Sequence, residues 1–199
     1  MKRSICFRDF EERDIDFIYK CKNDEKLNSL IVGQWHPFTH EEATKWVHGC
    51  MGEHETYKFW AVCTNDDVQK IIGWVSLSNI DKENRNVCFH GIVIGDKDYQ
   101  DGIAWIESYQ LIFEKVFLEM QFESLYGSHL SIHTASSIMA DSMFMTKDCI
   151  EPKAVERNGK FIDLVKVSIN KKTYMEHFTN GSYEFAQIQK RVLKYYKQK

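Results

Sequence analysis

The residues best placed for chemistry lie in one stretch, Asn84 to Ala104, NRNVCFHGIVIGDKDYQDGIA. It sets an imidazole, His90, in a β-prone apolar run. That run ends in a charged, glycine-containing loop, which opens into the helical pattern WIESYQLIFEKVFLEM. Such a junction gathers free backbone N–H groups and the positive end of a helix dipole around one point, which suits a phosphate-rich ligand. An unperturbed imidazole titrates near neutrality, so His90 can exchange a proton there.

Other chemistries find less support. His36 and His40, in QWHPFTHEE beside Glu41 and Glu42, are metal-ligand types, but no Cys/His group has zinc spacing and no metal is expected. There is no Gly-x-Ser-x-Gly motif or Ser/His/Asp order for hydrolysis, and no Walker or dinucleotide fingerprint. The same segment offers Trp35, His36 and Phe38, an aromatic loop able to stack on a flat substrate. The alternatives for it are core residues or a plain helix-start loop.

Hydrophobic spacing supplies the scaffold for these groups. SICFRDF (4–10) reads as a first strand. In EERDIDFIYKCKN (11–23), Ile15, Ile18, Tyr19 and Lys22 fall at helical spacing, with Asp14 and Asp16 in the opening turns. Residues 27–38 are irregular. Thr39 is the cap of HEEATKWVHGCM, with Glu42 completing a capping box. Strands follow at 57–64, 69–80 and 86–95, joined by short polar turns as antiparallel hairpins require. A helix over 103–120 carries Ile106, Tyr109, Phe113, Val116, Phe117 and Met120 on one face. Then come a strand at 124–132, a helix at 135–144 and two strands near 151–156 and 160–169, turning at Arg157-Asn158-Gly159. The order β-α-α-β-β-β-α-β-α-β-β is an α+β pattern, a largely antiparallel sheet flanked by helices.

Past Tyr174 the chain changes character. YEFAQIQKRVLKYYKQK places Phe185, Ile188, Val192 and Tyr195 at helical spacing among Lys190, Arg191, Lys194, Lys197 and Lys199. A basic amphipathic helix can touch RNA or a membrane surface; packing on its own domain or a dimer mate is the favoured reading.

Composition bounds the rest. The chain has 199 residues, 43% hydrophobic and 14% aromatic, enough for a well-buried core, and its net charge of −3 gives no sign of a nucleic-acid or membrane-surface protein. Cys6, Cys21, Cys50, Cys63, Cys88 and Cys149 have no framework spacing, and MKRSICFRDFEERD lacks an apolar signal region. Reduced thiols in a soluble, cytoplasmic protein are expected, with no membrane partner.

Taken together, RDIDFIYKCKND, KFWAVCT, IIGWVSLSNID, IVIGDKDYQDGIA and ERNGKFIDLVKVSINKKTY resemble the GNAT superfamily of N-acetyltransferases. The branch most similar is that of ribosomal-protein alanine, spermidine and amino-sugar acetyltransferases. The resemblance covers residues 2–174. It implies a GNAT-like α+β fold with a splayed strand pair, and acetyl-CoA as acetyl donor. The backbone of Ile92, Val93 and Ile94 would pair with the pantetheine arm. Tyr99, Gln100, Asp101, Gly102, Ile103 and Ala104 would wrap the pyrophosphate, with His133 and Ser137 also on the cofactor. The chain departs from the family in places. The loop is one residue shorter than Tyr-Gln-Gly-Lys-Gly-Ile-Ala, with Asp101 where glycine and lysine stand. No acidic base precedes Gly91, where the sequence is Cys88-Phe89-His90. In HTASSIMADSMFMT, Ser137-Ile138 matches, but His133 replaces asparagine, Asp141 replaces tyrosine and Met145-Thr146 replaces Gly-Phe.

On this resemblance His90 is the first candidate for the general base, against a histidine on the opposite strand face. Asp141 follows, against an exposed helix residue, and Tyr126 as a thiolate acid, against a core tyrosine. His133 equally fits a helix cap. Residues 1–174 form the expected acetyl-CoA-dependent N-acetyltransferase domain, and 175–199 a basic helical tail. The acceptor is a primary amine: an amino sugar or other small amine, or a protein N-terminus. Two alternatives stand beside it, a catalytically degenerate acyl-CoA-binding or regulatory module and a ribosome- or RNA-associated protein docking through its tail. A homodimer stays open, and nucleic acid is not favoured as a partner.

Overall fold

The computed structural model describes residues 3–33, 35–157 and 159–197; Asn158 of the expected Asn-Gly turn and Lys199 of the basic tail lie outside them. The chain divides into two compact units, one running to Asn79 and including His90–Leu111, the other made of Ile80–Phe89 and the chain from Ile112 onward.

In the first unit, β1 (Ile5–Arg8) pairs antiparallel with β2 (Tyr57–Thr64), and β2 with β3 (Ile71–Asp81). β4 (Asn86–Ile94) returns along β3 after a tight turn in which the Asp81 carboxylate accepts from the Asn84 backbone and side-chain amides. Ile71 to Leu77 are all buried, so this part of β3 is covered on both faces and reads as a continuous apolar run rather than an alternating one. Helices α1 (Ile15–Lys22) and α3 (His40–Cys50) turn Ile18, Cys21, Val47 and Cys50 inward onto Ala61, Cys63, Ile71 and Trp74 of the sheet. Trp46 of α3 meets Phe10, Phe59 and Trp74 edge-on, with centroids 5.5, 5.5 and 5.9 Å away.

The buried carboxylate of Asp14 is partnered here, while the Arg8 Nε has no hydrogen-bond partner among the described residues. Arg8 donates two 2.7 Å hydrogen bonds to the carboxylate of Asp14, a fork that fixes the 3-10 turn Glu12–Asp14 ahead of α1. The capping box at Thr39 forms as expected: its hydroxyl accepts from the Glu42 amide, and Glu42 accepts from the Thr39 amide at 2.7 Å. The irregular stretch contains one unforeseen turn, α2 (Glu25–Asn28), capped by Asp24.

The second unit holds the first part of β4, which pairs parallel with β5 (Ser124–Leu130) from Asn86 opposite Ser124 to Phe89 opposite Gly127. β7 (Lys160–Asn170) lies antiparallel to β5, and β6 (Thr146–Arg157) antiparallel to β7. The hydrogen-bonded strand order is β1-β2-β3-β4-β5-β7-β6, a mixed, mostly antiparallel seven-stranded sheet. α4 (Ile103–Glu114) continues as a π-helical turn, Lys115–Glu119, in which the Met120 amide donates to the Lys115 carbonyl. The core there is aromatic: Phe113, Phe117, Tyr174 and Tyr183 pack ring to ring, with Phe117 and Tyr174 stacked at 4.7 Å.

α5 (Thr134–Ser142) and α6 (Lys171–Thr179) precede α7 (Phe185–Tyr196), which buries Ile188 and Val192. Arg191, read in the sequence as one of the tail's basic residues, turns inward. It donates to the carbonyls of Ser142 and Ser182 at 2.8 and 2.7 Å and lies 4.5 Å from the Phe144 centroid. Ser142 ends α5, where a cation complements the helix dipole. Among the described residues no helix is long and apolar enough to cross a membrane.

Candidate active site

The loop after β4 is built by its own acids. Asp96 accepts from the Asp98 amide and pairs with Lys70 at 2.7 Å, shaping the 3-10 turn Lys97–Tyr99. Burial pushes the Asp96 carboxyl up, but the bonds from Lys70 and the Asp98 amide outweigh it and hold the group below its usual range. Gln100 donates its side-chain amide to the Ile94 carbonyl at 2.8 Å, tying the loop to the strand end. Gly102, at φ +88, takes the left-handed conformation that turns the chain into α4.

Beyond that turn the Ile103 amide is taken by the Asp101 carboxylate at 2.8 Å. The amides of Gly102, Ala104 and Trp105 have no acceptor among the described residues. This is the donor set a pyrophosphate needs, at the positive end of a helix. Asp101 partly opposes it, since its charge sits on the same row of amides. Asp101→Asn keeps an oxygen for the Ile103 amide and removes the charge. It is expected to tighten CoA binding several-fold, as read by calorimetric titration; unchanged or weaker binding would count against an anion at this loop.

His90 is exposed on β4, with Nε2 2.5 Å from the Ser78 hydroxyl of β3. Desolvation by its surroundings holds its pKa below the ordinary imidazole value, so the ring is neutral at pH 7 and able to accept a proton. Gly91 follows at φ +101 and breaks the alternation of β4: Val87 and Phe89 are buried before it, Ile94 after it. Ile92 and Val93 are half-buried between these points.

The aromatic segment is clamped to the end of α1. Trp35 donates its indole N–H to the Lys22 carbonyl at 2.7 Å. Asn23 holds Phe38 by both backbone groups, accepting from its amide at 3.1 Å and donating to its carbonyl at 3.0 Å. His36 is exposed and stacks on Phe38 with centroids 5.3 Å apart. Two residues that sequence reasoning did not assign to the site stand out here. Ser78 is paired with His90 across the hairpin, a contact no local spacing announces. Lys22 sits beside Phe38, and its signal was legible: a charged residue on the apolar stripe of Ile15 and Ile18.

The remaining candidates belong to the second unit. Tyr126 is half-buried on β5, in register with Cys88 of β4 and Ser168 of β7. His133 caps α5, its Nδ1 accepting from the Ser136 amide at 3.3 Å; desolvation, then the neighbouring His129, lowers its pKa. Ser137 donates its amide to the His133 carbonyl, and Asp141 is an exposed residue of α5. Among the described residues no group of three or more His, Cys, Asp and Glu is placed to hold a metal ion.

Solved acetyltransferases share this architecture. The chain is similar to a GNAT-family acetyltransferase from Bacillus anthracis, with TM-score 0.72 and 18% identity over 86% of this chain and 98% of that one. It is also similar to spermidine N-acetyltransferase from Vibrio cholerae, solved in complex with CoA and spermine, with TM-score 0.76 and 16% identity over the same shares. The sequence itself matches the acetyltransferase (GNAT) domain over residues 4–143, and the chain belongs to that family. No curated protein matches the sequence.

Proposed function

We propose that the protein transfers the acetyl group of acetyl-CoA to a primary amine, within residues 1–174, and that the acceptor is a small amine rather than a protein N-terminus. The observation that carries the reading is the row of amides at Gly102, Ala104 and Trp105 with no acceptor among the described residues, at the helix start that follows the family's cofactor-binding strand. Small amines are favoured by the likeness in fold to the spermidine acetyltransferase.

Acetyl-CoA, when bound, supplies the acetyl group as a thioester. The protein's part is to hold and to move protons. The amides at the start of α4 hold phosphate oxygens, and the edge backbone of Ile92–Ile94 aligns the donor's arm. His90 takes the proton that the acceptor ammonium must lose before its nitrogen can attack, and Ser78 orients the imidazole. His133, whose nitrogen is engaged in capping α5, positions that helix.

Incubation with acetyl-CoA and a panel of primary amines, followed by free CoA thiol, tests this. Thiol release that depends on an amine supports the reading, and release no faster than hydrolysis of acetyl-CoA alone contradicts it. A second reading, a binding module without turnover, is favoured by one observation, the Asp101 carboxylate on the amide row. It predicts acetyl-CoA binding with no amine-dependent release.

A further inference from the structure

The face of the first unit that carries Val93 holds a cation with no counter-ion among the described residues. Lys22, in the last turn of α1, sets its ammonium 4.5 Å from the Trp46 centroid, 5.2 Å from Trp74 and 5.4 Å from Phe38. Among the described residues its only ionisable neighbours are the Cys21 and Cys50 thiols, pushed up to about 12 by burial and therefore protonated. The ring faces offset part of the cost of desolvating the ammonium but do not neutralise it. Burial accordingly lowers the Lys22 pKa.

The surroundings are built, and they adjoin the strand proposed to align the acetyl donor. Trp35 and Asn23 fix the segment that presents Phe38. Cys21, next to Lys22, packs so closely on the end of β4 that a β-carbon on Gly95 would stand 2.3 Å from its sulfur. Val93 packs on the cluster that contains Cys21, Trp46 and Trp74. The ammonium and its walls are thus on the same face as the reacting strand. Lys22 is itself half-buried rather than sealed, so a ligand can reach it.

We propose that Lys22, with Phe38, Trp46 and Trp74, is the acceptor-recognition subsite, and that it takes an anionic group, carboxylate or phosphate, carried by the amine acceptor. This rests on the transferase reading and narrows it. The rings accept the apolar or planar body of such a molecule, and the anion supplies the missing counter-charge. The likeness to the spermidine acetyltransferase therefore extends to the fold and to a small amine as acceptor, and not to a polyamine, whose second ammonium would meet a fixed cation here.

Tryptophan emission reads the subsite directly, through Trp46 and Trp74. The protein is titrated with benzoate, with glucose 6-phosphate and with spermidine, alongside Lys22→Met and Lys22→Arg. The expected result is a saturable change with benzoate or glucose 6-phosphate, weakened at least tenfold in Lys22→Met, retained in Lys22→Arg, and absent with spermidine. Benzoate alone would identify carboxylate-bearing acceptors, and glucose 6-phosphate alone phosphorylated ones. Lys22→Met is expected to melt no lower than the parent, since an unpaired charge is removed. The proposal is overturned if neither anion saturates, if binding survives unchanged in Lys22→Met, or if that variant unfolds, which would make the lysine structural. Calorimetry with acetyl-CoA on the same samples separates the two levels. Acetyl-CoA binding without anion binding overturns the subsite alone, and no acetyl-CoA binding removes the transferase reading beneath it.

Discussion

Replacing His90 by alanine is expected to lower kcat for amine acetylation by on the order of 100-fold, with acetyl-CoA affinity unchanged. The acceptor arrives as an ammonium at neutral pH, and its nitrogen is nucleophilic only once a proton has left. His90 is suited to take that proton because desolvation depresses its pKa and keeps the ring neutral. The sign of the pH dependence follows. Because the pKa lies below the ordinary 6.5, the base form persists through neutrality, and an acid limb should appear only below that value. His90→Gln retains a partner for Ser78 but cannot titrate, so it should lose both the rate and the limb. A His90→Ala enzyme with parental kcat and an unaltered limb would show that the proton leaves by another route.

The largest effect on stability is expected at Gly73. A β-carbon there would stand 2.1 Å from the Val93 carbonyl oxygen and 3.1 Å from the Ile94 Cα, and backbone cannot swing aside as a side-chain tip can. Gly73→Ala therefore forces β3 and β4 apart where both are packed. By analogy with overpacked cores the cost is about 3 kcal/mol, which for a chain of this length lowers Tm by on the order of 10 °C. Differential scanning calorimetry checks it, and a variant within 2 °C of the parent, on the same ~10 °C scale, would mean the strands re-register at little cost. The same displacement moves Val93 and Ile94, so cofactor affinity should fall together with stability.

His90 and its partner differ in how far the sequence discloses them. His90 could be singled out because it lies within a recognisable strand–loop–helix junction. Its partner Ser78 could not, since the contact depends on hairpin register. β2 was legible to the residue, with apolar and aromatic side chains between polar turns, and so was the capping box at Thr39. β6 was expected to start near 151 and starts at Thr146, because nearly all of it is exposed and apolar alternation gives no signal there. Pro152 and the positive φ of Lys153 interrupt its pairing further. α6 escaped notice because Tyr174 is its only fully buried residue. The helix expected to reach Met120 becomes π-helical after Glu114, and past its end the Phe122 amide donates to the Val116 carbonyl, a long-step bond that no apolar spacing announces. Arg191 was read only as one of the basic residues around the tail's apolar stripe, yet its guanidinium serves the end of α5. Lys22 carried the opposite clue, a charge at an apolar position, and three aromatic neighbours from distant parts of the chain give it a use.

The central claim is that the loop from Tyr99 to Ala104 and the start of α4 bind the phosphates of acetyl-CoA. Calorimetric titration of the full chain with acetyl-CoA and with CoA tests it most directly. The account predicts saturable binding of both in the micromolar range, lost when Gly102→Glu sets a second carboxylate among the free amides. An absence of heat with either ligand, or binding that Gly102→Glu leaves intact, would contradict it.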